Sequence, residues 1–339
     1  MANIKDVAKL AGVSQSTVSI VLNGKSEQRM ISAATQQKVY DAVKALDYHP
    51  NVAARKLRES GGASQSIALY WASDFRAQMM VRFFKGLEIA LEQAGSPEIE
   101  ITIHPYKNGG LVKEKPFLTS NKCSAIIVAN ACEEDLSFLE GITPLVPLVL
   151  YNRSSAKYST VSVDDATIGR RAAAHLAEQG YRSAALLSAP YVFGGMKVRE
   201  GAFIAGCAGA GVRFMGTITA GENGFRGGVE AASAVLDAGR PEAVFCISDA
   251  LAHGLISGLT RRGLRLPQDM GILSIGNGDS ELNAYSLPSL SEVHIPMLSM
   301  ARQCMQLILQ ILRTRTVEKQ AVLLDTPLIA RESTQKAGN

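Results

Sequence analysis

The sequence is poor in the features that mark several protein classes. In 339 residues there is no run of 18 apolar residues, so nothing reads as a membrane-spanning helix. The opening, MANIKDVAKLAG, carries two lysines and an aspartate where a secretory signal needs an apolar stretch, which implies a cytoplasmic protein with no membrane partner. The five cysteines (Cys123, Cys132, Cys207, Cys246, Cys304) stand far apart in apolar contexts such as AVFCIS. Without a CxxC pair they offer no zinc site, and they read as buried free thiols. The five histidines (His49, His104, His175, His253, His294) are equally scattered. No GxSxG, HExxH, P-loop or strand-following GxGxxG is present, and FGGMKVREG and SIGNGDS lack the required spacing. No catalytic residue, metal or cofactor is called for. With 6% aromatics, stacking platforms for a ligand are also few.

What is present is a chain 47% apolar, long enough for two or three domains. Its charge is unevenly placed. Residues 1–60 hold nine Lys/Arg against five Asp/Glu, a net +4 that equals the net charge of the whole chain and leaves 26 of each sign beyond residue 60. A positive excess confined to one small segment is the footprint expected of a polyanion partner.

That segment reads as short helices. Asn3 can cap the first, with Asp6 in the capping-box position, and Ile4, Val7, Ala8 and Ala11 fall on one stripe. Gly12 ends it. Ser14 can cap a second helix with Val18, Val21 and Leu22 inward, closed by Asn23-Gly24, and a third, capped near Ser32, buries Val39, Val43 and Leu46. NVAARKLRES is a possible fourth helix of two turns, and SGGAS (60–64) breaks the chain after it. A helix, a turn containing Gly12 and a second helix make the helix-turn-helix arrangement, whose second helix enters the DNA major groove. With Val18, Val21 and Leu22 inward, Gln15, Ser16, Ser19 and Ile20 face outward. Gln can pair bidentately with adenine, Ser can donate or accept, and Ile can lie on a thymine methyl.

Beyond residue 64, strand-like runs alternate with helical ones: SIALYWA, Met80 to Ala94, EIEITIH, SAIIVAN, PLVLYN, TVSV, Ile168 to Gln179, SAALLSA, AVFCIS, Ala250 to Arg262 and GILSIGN. Short apolar strands separated by helices imply parallel sheets covered on both faces, and the length implies two such lobes.

IKDVAKLAGVSQSTVSIVLNG, with YHPNVAARKL after it, resembles the DNA-binding headpiece of the LacI/GalR family of bacterial transcription regulators. VSVDDATIGRRAAAHLAEQGYRSAALLSAP, REGAF and SDALAHGLISGLTRRGLRLPQDMGILSIG resemble that family's core, similar in fold to periplasmic sugar-binding proteins, so the likeness runs through most of the chain. It implies a small all-α helix-turn-helix domain (1–48), a hinge helix and linker (49–64), and an α/β core (65–339) of two doubly wound parallel-sheet lobes, one near 65–161 and 294–325, the other near 162–293 and 326–339. It puts Gln15, Ser16 and Ile20 on base-reading positions, with Ser14, Thr17 and Asn23 near phosphates. Asn51 would open the hinge helix, Leu57 would wedge into the minor groove, and Arg55 and Arg58 flank it. An apolar wedge unstacks and kinks DNA, and two hinges meeting at a centre require a homodimer on a near-palindromic operator.

A repressor modulated by a small-molecule effector is the function implied. In doubly wound sheets, ligands bind outside the carboxyl ends of strands. The candidates there are Asp74, Phe75, Asn152, Tyr191, Asp249 and Asn277, to which the resemblance adds Arg199, in an R-x-x-G-F motif whose glycine is here Ala202, and Phe225 as a stacking aromatic. Many members carry an aspartate pair after the GILSIG strand. This chain has Gly278 and Asp279, which weakens the case for a sugar and leaves open a phosphorylated or acidic ligand held by Arg199. The rivals are a small-molecule carrier or an enzyme on the same α/β fold.

Overall fold

The computed structural model describes residues 4–22, 31–46, 65–73, 79–96, 98–277, 280–314 and 318–336, apart from the side chains of Ile4, Ser19, Leu22 and Lys44. The proposed caps Asn3 and Asn23-Gly24 and the hinge segment lie outside these residues. The chain forms two compact units, Met1–Ser64 and Gln65–Asn339.

In the first unit, α1 (Ile4–Ala11), α2 (Gln15–Leu22) and α3 (Ala33–Ala45) pack around Val7, Ala8, Ala11, Val18, Val21, Val39 and Ala42. Val13, Ile31, Val43 and Leu46 close this small core from its rim. The link from α1 to α2 is three residues long. Gly12 takes a left-handed φ of 65°, which favours glycine, and lets the Val13 amide donate back to the Ala8 carbonyl at 3.0 Å.

The second unit holds two six-stranded sheets. One, in the order β11-β5-β4-β3-β1-β2, is parallel throughout: β1 (Ser66–Ala72), β2 (Glu100–Tyr106), β3 (Ala125–Ala129), β4 (Leu148–Tyr151), β5 (Ser159–Val163) and β11 (Ala321–Leu324). The other, in the order β12-β10-β9-β8-β6-β7, comprises β6 (Ser183–Ser188), β7 (Arg213–Thr219), β8 (Ala243–Cys246), β9 (Gly271–Gly276), β10 (Ser291–His294) and the antiparallel β12 (Leu328–Ile329). Between them run α4 (Met80–Gln93), α5 (Lys115–Leu118), α6 (Glu133–Glu140), α7 (Asp165–Glu178), α8 (Gly194–Gly209), α9 (Phe225–Asp237), α10 (Asp249–Thr260), α11 (Ser280–Tyr285) and α12 (Met297–Thr314). Inner strands such as β3, β4 and β8 are buried at every residue, because helices cover both faces. The outer strands β2, β7 and β11 expose many of their residues.

Three differences from the sequence reading have physical causes. The strand expected over EIEITIH runs two residues later and takes in Pro105, which an edge strand tolerates. Strand β7 has no continuous apolar run, since it is the exposed edge of its sheet. Cys207, Cys246 and Cys304 are buried, but Cys123 and Cys132 are only partly so, and Cys132 lies 3.1 Å from the Asp135 carboxylate. Burial pushes the Cys207 thiol up to about 11, so it stays protonated at neutral pH.

The chain passes between the sheets three times: from β5 through α7 to β6, from β10 through α12 to β11, and from β11 directly to β12. Those three connections are the chain's passages from one lobe to the other. No described helix is long and apolar enough to cross a membrane.

Candidate functional site

Helix α2 carries no charged side chain, so its outer surface is set by Gln15 and Ser16, both exposed, and by Ile20, which is half-buried rather than fully outward. Ser14 holds the start of the helix. Its hydroxyl accepts from the Thr17 amide at 3.1 Å and lies 2.9 Å from the Thr17 hydroxyl. The N-terminal turn of α2 thus presents an amide side chain, a hydroxyl and the positive end of a helix dipole, the combination that suits base edges beside a phosphate. A second capped start, Thr35 amide to Ser32 hydroxyl at 3.3 Å, fixes α3 behind it.

In the larger unit, the carboxyl ends of the strands in both sheets converge on one small cavity, open at its mouth and about 30 Å³ in volume. Asn130 follows β3, Asn152 follows β4, Ile247 follows β8, Asn277 follows β9 and Ile295 follows β10. Phe193, Met196 and Arg199 come from the start of α8 and the loop before it. Asn130 and Asn152 both sit at left-handed φ, 61° and 57°, a conformation that asparagine tolerates better than most residues. Among the described residues, no carboxylate lines this cavity.

Three buried polar atoms of the lining have no hydrogen-bond partner among the described residues: Asn130 Nδ2, Arg199 Nη2 and Asn277 Oδ1. Buried polar groups left unpaired are costly, by about 1–3 kcal/mol each, and so call for a partner. Two of these atoms are donors and one is an acceptor. Arg199, 4% exposed, is fixed by its Nε, which donates to Asp165 Oδ1 at 2.7 Å. A Cβ at Gly195 would run into both the Asp165 carboxylate and the Phe193 ring, so this close packing needs glycine there.

The model for bacterial regulatory proteins of the lacI family matches residues 3–51, and that for a periplasmic binding protein-like domain matches residues 173–334. A LacI family transcription regulator from Clostridium acetobutylicum is 33% identical in sequence and superposes with a TM-score of 0.74, over 79% of this chain and 99% of that one. This chain belongs to the LacI family. The HTH-type transcriptional repressor PurR of Vibrio cholerae serotype O1 (strain M66-2) is 27% identical over 98% of both chains. A lac repressor dimer bound to operator and an anti-inducer shares the fold, at 23% identity and a TM-score of 0.71 over 98% of this chain and 99% of that one. Like its LacI-family relatives, the chain is a helix-turn-helix DNA-binding transcription regulator and not an enzyme.

Within this LacI-family core the cavity gathers Asn152, Arg199 and Asn277 of the residues expected from sequence. Three others lie outside its lining. The Tyr191 hydroxyl donates to Glu200 and its ring is 45% exposed. Phe225, 51% exposed, stacks on His253 with ring centroids 6.2 Å apart. Asp249 is buried at the start of α10, where its carboxylate accepts from the Ala250 amide at 2.9 Å and from Asn283 at 3.5 Å. Asp74, Phe75, Asn23, Asn51, Arg55, Leu57, Arg58 and the side chain of Ser19 lie outside the described residues. The sequence reading missed Asn130, Phe193 and Asn223. Asn130 follows its strand just as Asn152 follows the next, and that repetition was the available signal.

Proposed function

We propose that this LacI-family chain is a cytoplasmic repressor that binds a near-palindromic operator as a homodimer, with its DNA affinity set by a small molecule held between the two lobes of the core. The base-reading residues are Gln15, Ser16 and Ile20, with Ser19 on the same outward face, Ser14, Thr17 and Asn23 beside phosphates, and Asn51, Arg55, Leu57 and Arg58 at the hinge. The domain limits are those read from the sequence. The observation that carries the effector half is the trio of unpaired polar atoms at Asn130, Arg199 and Asn277, which a bound ligand would satisfy with two acceptors and one donor. Asn152 contributes a further amide to that wall, and Tyr191, Phe225 and Asp249 lie outside it.

Selection from random duplexes at one fixed salt concentration tests the reading, because affinity without a stated salt concentration has no meaning. Recovery of a near-palindrome with a flexible central step is expected, and the genes beside its genomic copies would narrow the effector by their chemistry. If no sequence preference emerges, with or without a metabolite extract added, the assignment of Gln15, Ser16 and Ile20 fails.

A further inference from the structure

The mouth of the cleft is crossed by two contacts made by the protein itself. Glu133, the first residue of α6, belongs to the lobe built on β1–β5, yet its Oε1 accepts from the Gly194 amide of α8 in the other lobe at 2.7 Å. Helix α8 has no side-chain cap of its own, since its N-cap is Phe193. A carboxylate from across the cleft therefore meets an orphan amide at the positive end of a 16-residue helix. The second contact is on Phe193. The Arg153 guanidinium lies 3.9 Å from its ring centroid, while Arg153 itself is tied to its own lobe through the Ala131 and Asn152 carbonyls. The Arg199 guanidinium lies 5.3 Å from the same ring. One aromatic ring is thus shared by a cation from each lobe, at distances where cation–π attraction operates.

We infer that Glu133 and Phe193 form a latch between the lobes, which favours the closed cleft and positions Arg199 at its wall. The latch adds its own free energy to closure, so a ligand that favours closure has to supply correspondingly less. The geometry of the latch is independent of the effector reading. Only its consequence for ligand affinity rests on that reading.

Hydrogen–deuterium exchange on the full-length protein, with no ligand added, tests this directly. Glu133 is exposed, so Glu133→Ala leaves the core intact. A net bond to a charged acceptor is worth on the order of tenfold in an opening equilibrium. Glu133→Ala is therefore expected to speed exchange about tenfold at cleft-edge amides of both lobes, residues 130–132 and 152–154 as well as 193–196. Phe193→Leu, which keeps an apolar side chain but loses the ring face, is expected to do the same. Glu133→Gln, with an acceptor oxygen but no charge, should fall in between. Amides in the last two turns of α9 and α10, away from the strand ends that line the cleft, should not change in any variant. Faster exchange confined to 194–196 would mean a helix cap and no latch, and unchanged exchange everywhere would equally overturn the inference.

Discussion

Gln15 is the residue on which reading of DNA sequence most depends, because it is exposed on the first turn of α2 and can offer both a donor and an acceptor to one base. Gln15→Ala is expected to cost about 1–3 kcal/mol on the preferred site and almost nothing on random DNA, so that specificity relaxes at a single base position in each half-site. Titration of the variant against the selected site and its single-base mutants would check this; equal losses on all sequences would assign Gln15 to the backbone. The headpiece residues were legible because caps and periodicity act locally: Ser14, Gly12, Val18 and Val21 do in the structure what their spacing implies. The cleft was legible only to the nearest loop. The end of a strand can be read from an apolar run, but which loop residue turns inward depends on backbone placed by packing. Tyr191 was named, yet Phe193, two residues on, lines the cavity.

At the scale of elements, the last described turn of the chain is clipped to the lobe built on β6–β10. His175 of α7 is buried and lies 2.7 Å from the Thr334 hydroxyl, which is itself 2.7 Å from the Ser291 hydroxyl on β10. Burial holds the His175 pKa below its ordinary value, with Glu178 opposing the shift. The unfolded chain therefore takes up this proton first as the pH falls. The stability that His175 contributes is fully present above about pH 6.5 and is lost as the pH drops through its folded pKa. His104, also held low by desolvation, acts with the same sign, so the two must be separated. The urea midpoint is expected to fall between pH 7.5 and pH 5, and His175→Gln should flatten part of that fall. A variant with the wild-type pH profile would remove His175 from the account. No apolar period foretold this clip, because Ser291, Thr334 and His175 are drawn together from 159 residues of chain by sheet pairing.

For the whole molecule, the division of charge matters more than its total. The larger part of the chain is balanced, so attraction to DNA resides in the basic first segment and should vanish with it. Removal of residues 1–64 is expected to abolish retention on heparin at low salt, while the remaining core unfolds cooperatively, as the two-unit division implies. Retention by the core alone would show a second polyanion surface. The broad plan of two parallel sheets was legible in the alternation of apolar runs and helices, whereas the return of β11 and β12 to different sheets left no mark in that alternation, since both are short and half-exposed, and was expected only from the family resemblance.

That return has a consequence for how the protein is made. Strand β5 must wait for β11, and β10 for β12, so both sheets stay incomplete until the residues near 329 have left the ribosome. The three helices of the DNA-binding unit are finished within the first 45 residues and close their core on local contacts alone. During synthesis, the part that grips DNA therefore exists well before the part that governs it. A message cut short ahead of β11 would yield a headpiece joined to a core unable to complete either sheet, and so a DNA-binding segment without its control.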